Sequence, residues 1–189
     1  DLEFSTQVIP PVSVEEKDGG LLLDFGRELM GFLRFSGVSR PGTIPAAFGE
    51  SREEALDVGN CELYEQISVS EGSVTEFTRA FRYVFLPGAA GRVRTVEALY
   101  QYLPLGNKGA FRCGDQQVNQ IYDTALYTLH LCSREFYLDG IKRDRWVWSG
   151  DATQSYLLNF YTFFDKDICR RTMRLLRGKD PVMTHLNTI

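Results

Sequence analysis

The chain is poor in the residues that build metal centres and crosslinked scaffolds. Two histidines, His130 and His185, serve 189 residues, so no histidine-rich metal site can form. The four cysteines, Cys61, Cys113, Cys132 and Cys169, lie far apart and make no CxxC pair. That spacing disfavours zinc, and the expectation is buried free thiols. No metal and no cofactor is expected. No apolar run approaches the length of a membrane span, so a membrane partner is not expected. Cations are not in excess: 21 Lys and Arg against 25 Asp and Glu leave a net charge of −4. With no basic arm or face, a nucleic-acid partner is not expected either. Glutamate is missing from the C-terminal part, where none follows Glu135. No signal peptide opens the chain, and "DLEFSTQVIPP" reads as the middle of something. The closing "DPVMTHLNTI" has no terminator pattern, so a piece of a longer protein is expected.

What is present divides into two halves of different period. From about 20 to 105, short apolar runs are punctuated by glycine and proline: "LLLDFG" (21–26), "GFLRFSG" (31–37), "FTRAFRYVFLPG" (77–88) and "VEALYQYLPL" (96–105). Phe77, Phe81, Tyr83 and Phe85 share one face at period two. Val96, Ala98, Tyr100 and Tyr102 alternate with polar residues. This predicts an antiparallel β-sandwich. The polar stretch 51–74 reads as a long connection. No internal repeat is present.

After Gly114 the period becomes about 3.6. Val118, Ile121, Tyr122, Ala125, Leu126, Leu129 and Cys132 form one stripe of an amphipathic helix near 115–135. A second helix is expected over 151–164, with "DATQ" as a capping box in which Asp151 is the cap. Its body, "SYLLNFYTFF", is apolar nearly all round and should be buried on most sides. A third helix over 166–177 should turn Ile168, Leu175 and Leu176 inward and Arg170, Arg171, Arg174 and Arg177 outward, with Gly178 after its end. A buried helix followed by a one-sided one suggests the inner and outer layers of a helical barrel, which three helices cannot close. The domain boundary is expected at Gly106–Ala110, giving 1–105 and 106–189.

Between the first two helices lies "DGIKRDRWVWSGDA" (139–152), with three aspartates, three cations and both tryptophans of the chain. Each residue has a structural reading. Asp151 can be a helix cap, Arg143 can clamp Asp139 or Asp144, and Trp146 and Trp148 can fill a core. Together they suit a sugar pocket. Indole faces stack on pyranose C–H groups, carboxylates and arginine bind hydroxyls by charge-assisted hydrogen bonds, and paired carboxylates can hydrolyse a glycosidic bond. The aromatic content of 13% fits a carbohydrate site or a well-filled core.

This stretch resembles the signature of the α-L-rhamnosidases of glycoside hydrolase family 78. "LLLDFGRELMGFLRF" (21–35), "FGES" (48–51), "RAFRYVFLPG" (79–88) and "GAFRCGDQQVNQIYDTALYT" (109–128) are similar to the family's sandwich and to the entry of its (α/α)6 barrel. The resemblance implies a jelly-roll-like β-sandwich, the truncated start of a six-hairpin catalytic barrel, and inverting cleavage of terminal α-L-rhamnose. It implies Asp139 and Asp151 as ligands of sugar hydroxyls; Arg143, Trp146 and Trp148 are the further substrate contacts expected from the loop's own chemistry. The family's general acid is a Glu a few residues after the first Asp. Here the position falls on Asp144 or is lost to Arg145, depending on one gap. Asp144 is the assigned acid. The implied general base is a Glu beyond Ile189, so this chain holds part of a site and should be inactive alone. A non-catalytic carbohydrate-binding relic of the same fold, or a six-hairpin glycosidase for another sugar, are the alternatives. A carbohydrate is the expected partner. Oligomeric state stays open, and a periplasmic or secreted location is favoured over the cytoplasm.

Overall fold

The computed structural model describes residues 2–177; Gly178, the closing decapeptide and His185 lie outside the described residues. Seven strands come first: β1 (Ser5–Ile9), β2 (Ser13–Lys17), β3 (Gly20–Val38), β4 (Gly42–Gly49), β5 (Leu63–Val69), β6 (Arg79–Leu86) and β7 (Val93–Tyr102). They pair in the order β1-β7-β3-β6-β4-β5, with β2 also on β3. The antiparallel β-sandwich read from the sequence is present, hydrogen-bonded as one continuous sheet. The two runs at 21–26 and 31–37 are a single 19-residue strand, β3. A register shift between Asp24 and Leu29 bends it, and there Gly26 takes a φ of +83° while its N–H donates to Asp24 Oδ1 at 2.7 Å. Before the bend β3 pairs with β2, and after it with β7, while β6 pairs on both sides.

Alternation explains the core. Leu23, Leu33, Phe35, Ile44, Phe48, Phe81, Val84 and Leu86 are fully buried, and Phe81 packs edge-on to Phe25 at 5.3 Å between ring centroids. The stretch 51–74 is not the plain connection expected from its polarity. It contains the short helix α1 (Arg52–Leu56), whose cap Ser51 Oγ accepts from Glu54 N, and the edge strand β5. An edge strand buries one face only, and in β5 just Ile67 and Val69 are buried, so its sequence looks polar. Ala55 of α1 packs with Leu22, Ala47 and Phe85. Phe77 does not join the face of Phe81 and Phe85. It precedes β6, is 57% exposed, and lies under the Arg79 guanidinium.

At the bend, Arg82 grips the Asp24 carboxylate with two bonds, Nε to Oδ1 at 3.0 Å and a terminal nitrogen to Oδ2 at 3.1 Å. The Arg82 hydrogen bond, aided by the Gly26 N–H, holds the Asp24 carboxyl below its ordinary range against the opposing effect of burial. A lowered folded value means that Asp24 stabilises the fold above the unfolded value, and that this is lost as pH falls through the folded one. Urea unfolding of the wild-type chain should therefore lose stability below about pH 4 more steeply than Asp24→Asn, by up to about 1 kcal/mol after solvent screening. Parallel pH slopes for the two proteins would show that the pair contributes nothing.

After β7 come α2 (Gln116–Cys132), α3 (Ser149–Tyr161) and α4 (Lys166–Arg177). By contact, the chain forms two units: Thr6–Gln101, and a second made of residues 1–5 and 102–189. In the second unit Leu103, Leu129, Tyr137, Phe163 and Ile168 form the core, with Phe4, Leu126 and Tyr156 against it. Asp115 caps α2, its Oδ1 accepting from the N–H groups of Gln117 and Val118. Asp165 Oδ1 does the same for α4 through Asp167 and Ile168.

Burial along the helices departs from expectation. Only the last turns of the α2 stripe are covered, since Val118 and Ile121 are 40% and 61% exposed. α3 is not buried on most sides. Its inward face is Ser149, Ala152, Ser155 and Asn159, whereas Leu157, Leu158, Phe160 and Tyr161 are exposed. In α4 Ile168 is buried as expected, but Thr172 takes the next inward place and Leu175 is exposed. No described element lies over these apolar faces. The thiols are free, but none is fully buried: Cys61, Cys132 and Cys169 are half-buried and Cys113 is exposed. Burial pushes the Cys132 thiol up to about 11.

Candidate functional site

The loop that joins α2 to α3 is fixed at both ends. Behind it, the turn after α2 is held by Leu138 N–H donating to Cys132 O at 3.0 Å. The neighbouring Tyr137, 1% exposed, donates its N–H to the Thr172 hydroxyl oxygen at 3.1 Å. Ahead of it, Trp148 O accepts from Ala152 N at 2.9 Å in the first turn of α3.

Asp139 closes the neck of the loop. Its N–H donates to Trp146 O at 2.9 Å, and its Oδ1 accepts from Trp146 N at 2.9 Å. Its Oδ2 accepts from the Trp148 indole Nε1–H at 3.1 Å. Each oxygen thus accepts one hydrogen bond from the described residues. Between these anchors Ile141 is buried, and its carbonyl accepts from Arg145 Nε at 2.7 Å. Arg145 takes a φ of +52°, which few non-glycine residues adopt. No sequence signal pointed to that bend.

The two tryptophans do not fill a core. Their rings stack, with centroids 5.8 Å apart and planes 23° from parallel. Trp146 is 57% and Trp148 39% exposed. Exposed indoles on a pinned loop are costly unless a partner covers them. Asp144 lies at the tip of the loop and is exposed. Its Oδ1 is 3.7 Å from Arg143 Nε, a long contact between two solvent-facing groups, so the pairing adds little to stability.

Asp151 is not the helix cap. The cap position belongs to Trp148, which makes no side-chain capping bond, and α3 begins at Ser149. Asp151 stands in the first turn, where its carboxylate suits the positive end of the helix dipole, and it is exposed. The structure thus joins Asp139, Trp146 and Trp148 in one hydrogen-bonded unit and brings Arg143 beside Asp144. Asp151 lies in the first turn of α3, outside this hydrogen-bonded unit. Chemically, the loop offers hydrogen-bond acceptors, a guanidinium and two partly exposed indoles, the groups that recognise a sugar ring.

Comparison with known proteins agrees with this setting. Residues 1–86 match the family model described as "Alpha-rhamnosidase-like, bacteroidetes, N-terminal". A solved structure titled rhamnosidase from Klebsiella oxytoca with rhamnose bound superposes with a TM-score of 0.80 at 22% identity, over 94% of this chain and 45% of that one. The family 78 rhamnosidase of Bacillus sp. GL1 gives 0.67 at 26% identity, over 84% of this chain and 18% of that one. The Streptomyces avermitilis α-L-rhamnosidase complexed with L-rhamnose gives 0.75 at 18% identity, over 94% and 19%. No curated protein sequence matches. The chain spans less than half the length of these three solved structures. Its first 86 residues are similar to an α-rhamnosidase-like N-terminal domain, and its fold resembles that of the solved α-L-rhamnosidases.

Proposed function

We propose, from a chain with an α-rhamnosidase-like N-terminal domain and the fold of the α-L-rhamnosidases, that it supplies the sandwich and the first barrel helices of an inverting glycosidase. The substrate is a terminal α-L-rhamnose on a glycan or glycoside. Asp144 is the general acid. Arg143, Trp146, Trp148 and Asp151 meet the sugar, and Asp139 stands at the base of the site. The domains run 1–105 and 106–189. The uncovered apolar faces of α2 and α3 support a barrel completed by further helices. The observation that carries the reading is the loop itself: Asp144, Arg143 and two stacked, exposed indoles on a segment pinned between α2 and α3.

An inverting site needs a second carboxylate about 6.5–9.5 Å from the acid to activate water. None is assigned within this chain, so the site is half built. Purified chain should bind L-rhamnose, read as a saturable change in tryptophan emission, and should bind D-mannose or L-fucose more weakly. It should release no more aglycone from an aryl α-L-rhamnoside than a boiled control. Turnover above that control would overturn the half-site. Preference for another sugar would point to a different glycosidase of the same barrel class. Loss of all sugar binding would refute the reading.

The competing reading is a non-catalytic carbohydrate-binding protein of this fold. What favours it is the shorter Asp144 where the family has glutamate, with Arg143 beside it. Both readings need the sugar to sit on the same loop.

A further inference from the structure

We infer that Asp139 is a positioning residue, whose carboxylate locks Trp146 and Trp148 into a stacked platform that is assembled before any sugar arrives. The inference deepens the proposed site and rests on that reading for the identity of the ligand, though not for the lock itself. Four observations carry it.

The first is the reciprocal pair between Asp139 and Trp146: N–H to carbonyl in one direction, carboxylate from N–H in the other, both 2.9 Å. It closes residues 140–145 into an excursion with a fixed neck, within which Ile141 is buried and Arg145 Nε donates to its carbonyl. Second, the Trp148 bond to Oδ2 at 3.1 Å is made by Nε1 at the ring edge, so it sets the orientation of the indole as well as its position. Third, the two rings lie at 5.8 Å and 23°, the stacked geometry that this pair of bonds permits. Fourth, Trp146 is 57% and Trp148 39% exposed, so burial holds neither ring completely. A ring pair contributes roughly 0.5–1.5 kcal/mol beyond its burial, too little to order a six-residue excursion alone. A charged acceptor holding two N–H donors adds to this, beside the burial of Ile141. Preorganisation of this kind lowers the entropy cost of binding a sugar.

The lock can be read without a ligand, because Trp146 and Trp148 are the only tryptophans of the chain. Stacked indoles couple their transitions, and circular dichroism reports the coupling as a pair of bands of opposite sign. The wild-type chain, free of sugar, should show this couplet. Trp146→Phe should abolish it and so calibrate the signal. Asp139→Ala should remove it while the helical signal of α2, α3 and α4 persists. Asp139→Asn covers the case in which the alanine variant fails to fold. Its amide oxygen can still accept from Trp146 N–H, but its NH2 group faces the Trp148 donor. The couplet should then fall by at least about half with the helices intact, because the one bond that reaches an indole ring, from Trp148 Nε1, is lost. L-rhamnose affinity should fall in the same order across these variants.

A couplet of wild-type size in Asp139→Asn, or no couplet in the sugar-free wild type, would overturn the inference. Absence of sugar binding in a wild type that shows the couplet would instead refute the proposed function and leave the lock standing. A loss of affinity in Asp139→Asn at full couplet would mean that the carboxylate acts on the sugar directly, and would also overturn the positioning role.

Discussion

Gly109→Ala is expected to lower the melting temperature of the helical unit by on the order of 10–20 °C, an effect of roughly 2–4 kcal/mol. The reason is a close approach of two backbones. Lys108 and Gly109 both donate their N–H groups to Thr162 O, at 2.8 and 2.9 Å, which docks the segment after β7 on the end of α3. A Cβ at position 109 would fall inside the carbonyl oxygen of Tyr161, 2.7 Å from its carbon and 3.3 Å from Thr162 Cα. Backbone cannot step aside as a side-chain tip can, so the docking must open and both hydrogen bonds must lengthen. Gly106→Ala, three residues earlier, meets nothing within 4 Å and serves as the control. Thermal unfolding followed by the helical signal should separate the two variants clearly. Equal melting temperatures would show that the segment is not docked in this way.

That docking could not be read from "GNKGA", where glycine signalled only a boundary. The same limit recurs along the chain. The change of period after Gly114 was legible because helix periodicity is local, and α2, α3 and α4 start and stop within about three residues of the expected ends. What covers a helix is not local. "SYLLNFYTFF" has apolar residues all round, yet the face that packs is the one with Ser155 and Asn159. Asn159 is drawn inward by its bonds to Asp165, as donor at 3.0 Å and as acceptor at 3.0 Å, which shape the turn into α4. The misplaced start of α3 has a comparable cause. "DATQ" could cap a helix at Asp151, but Asp139 ties down Trp146 and Trp148, and the backbone leaves Trp148 extended and ready to turn at Ser149. Composition therefore revealed which residues gather in the loop. The path of its hydrogen bonds depends on Asp139 reaching seven and nine residues ahead, which no short-range rule reports.

In a protein that carries this chain together with the remaining barrel, Asp144→Asn is expected to lower turnover of a natural rhamnoside by about 10²–10⁴-fold, the usual contribution of one general acid. An aryl rhamnoside with a good leaving group should lose far less. The difference follows from where the proton goes. An alcohol leaving group departs as an alkoxide unless it is protonated in the transition state, so its release depends on the acid. A phenol with a low pKa leaves without help, and the acid is then superfluous. Asp144 is the aspartate of the loop free for this work. Asp139 has both oxygens engaged by Trp146 and Trp148, and Asp151 lies on α3 rather than in the loop. Asp144 lies at the tip of the loop, with Arg143 its neighbour at 3.7 Å. Asp139→Asn should behave differently, depressing both substrates alike, because a platform that no longer holds the ring loses binding energy whatever the leaving group. Steady-state kinetics of both variants on both substrates resolve the roles. Equal losses on the two substrates for Asp144→Asn would remove Asp144 as the acid. The acid position would then have been lost to Arg145, or the proton would come from elsewhere in the protein.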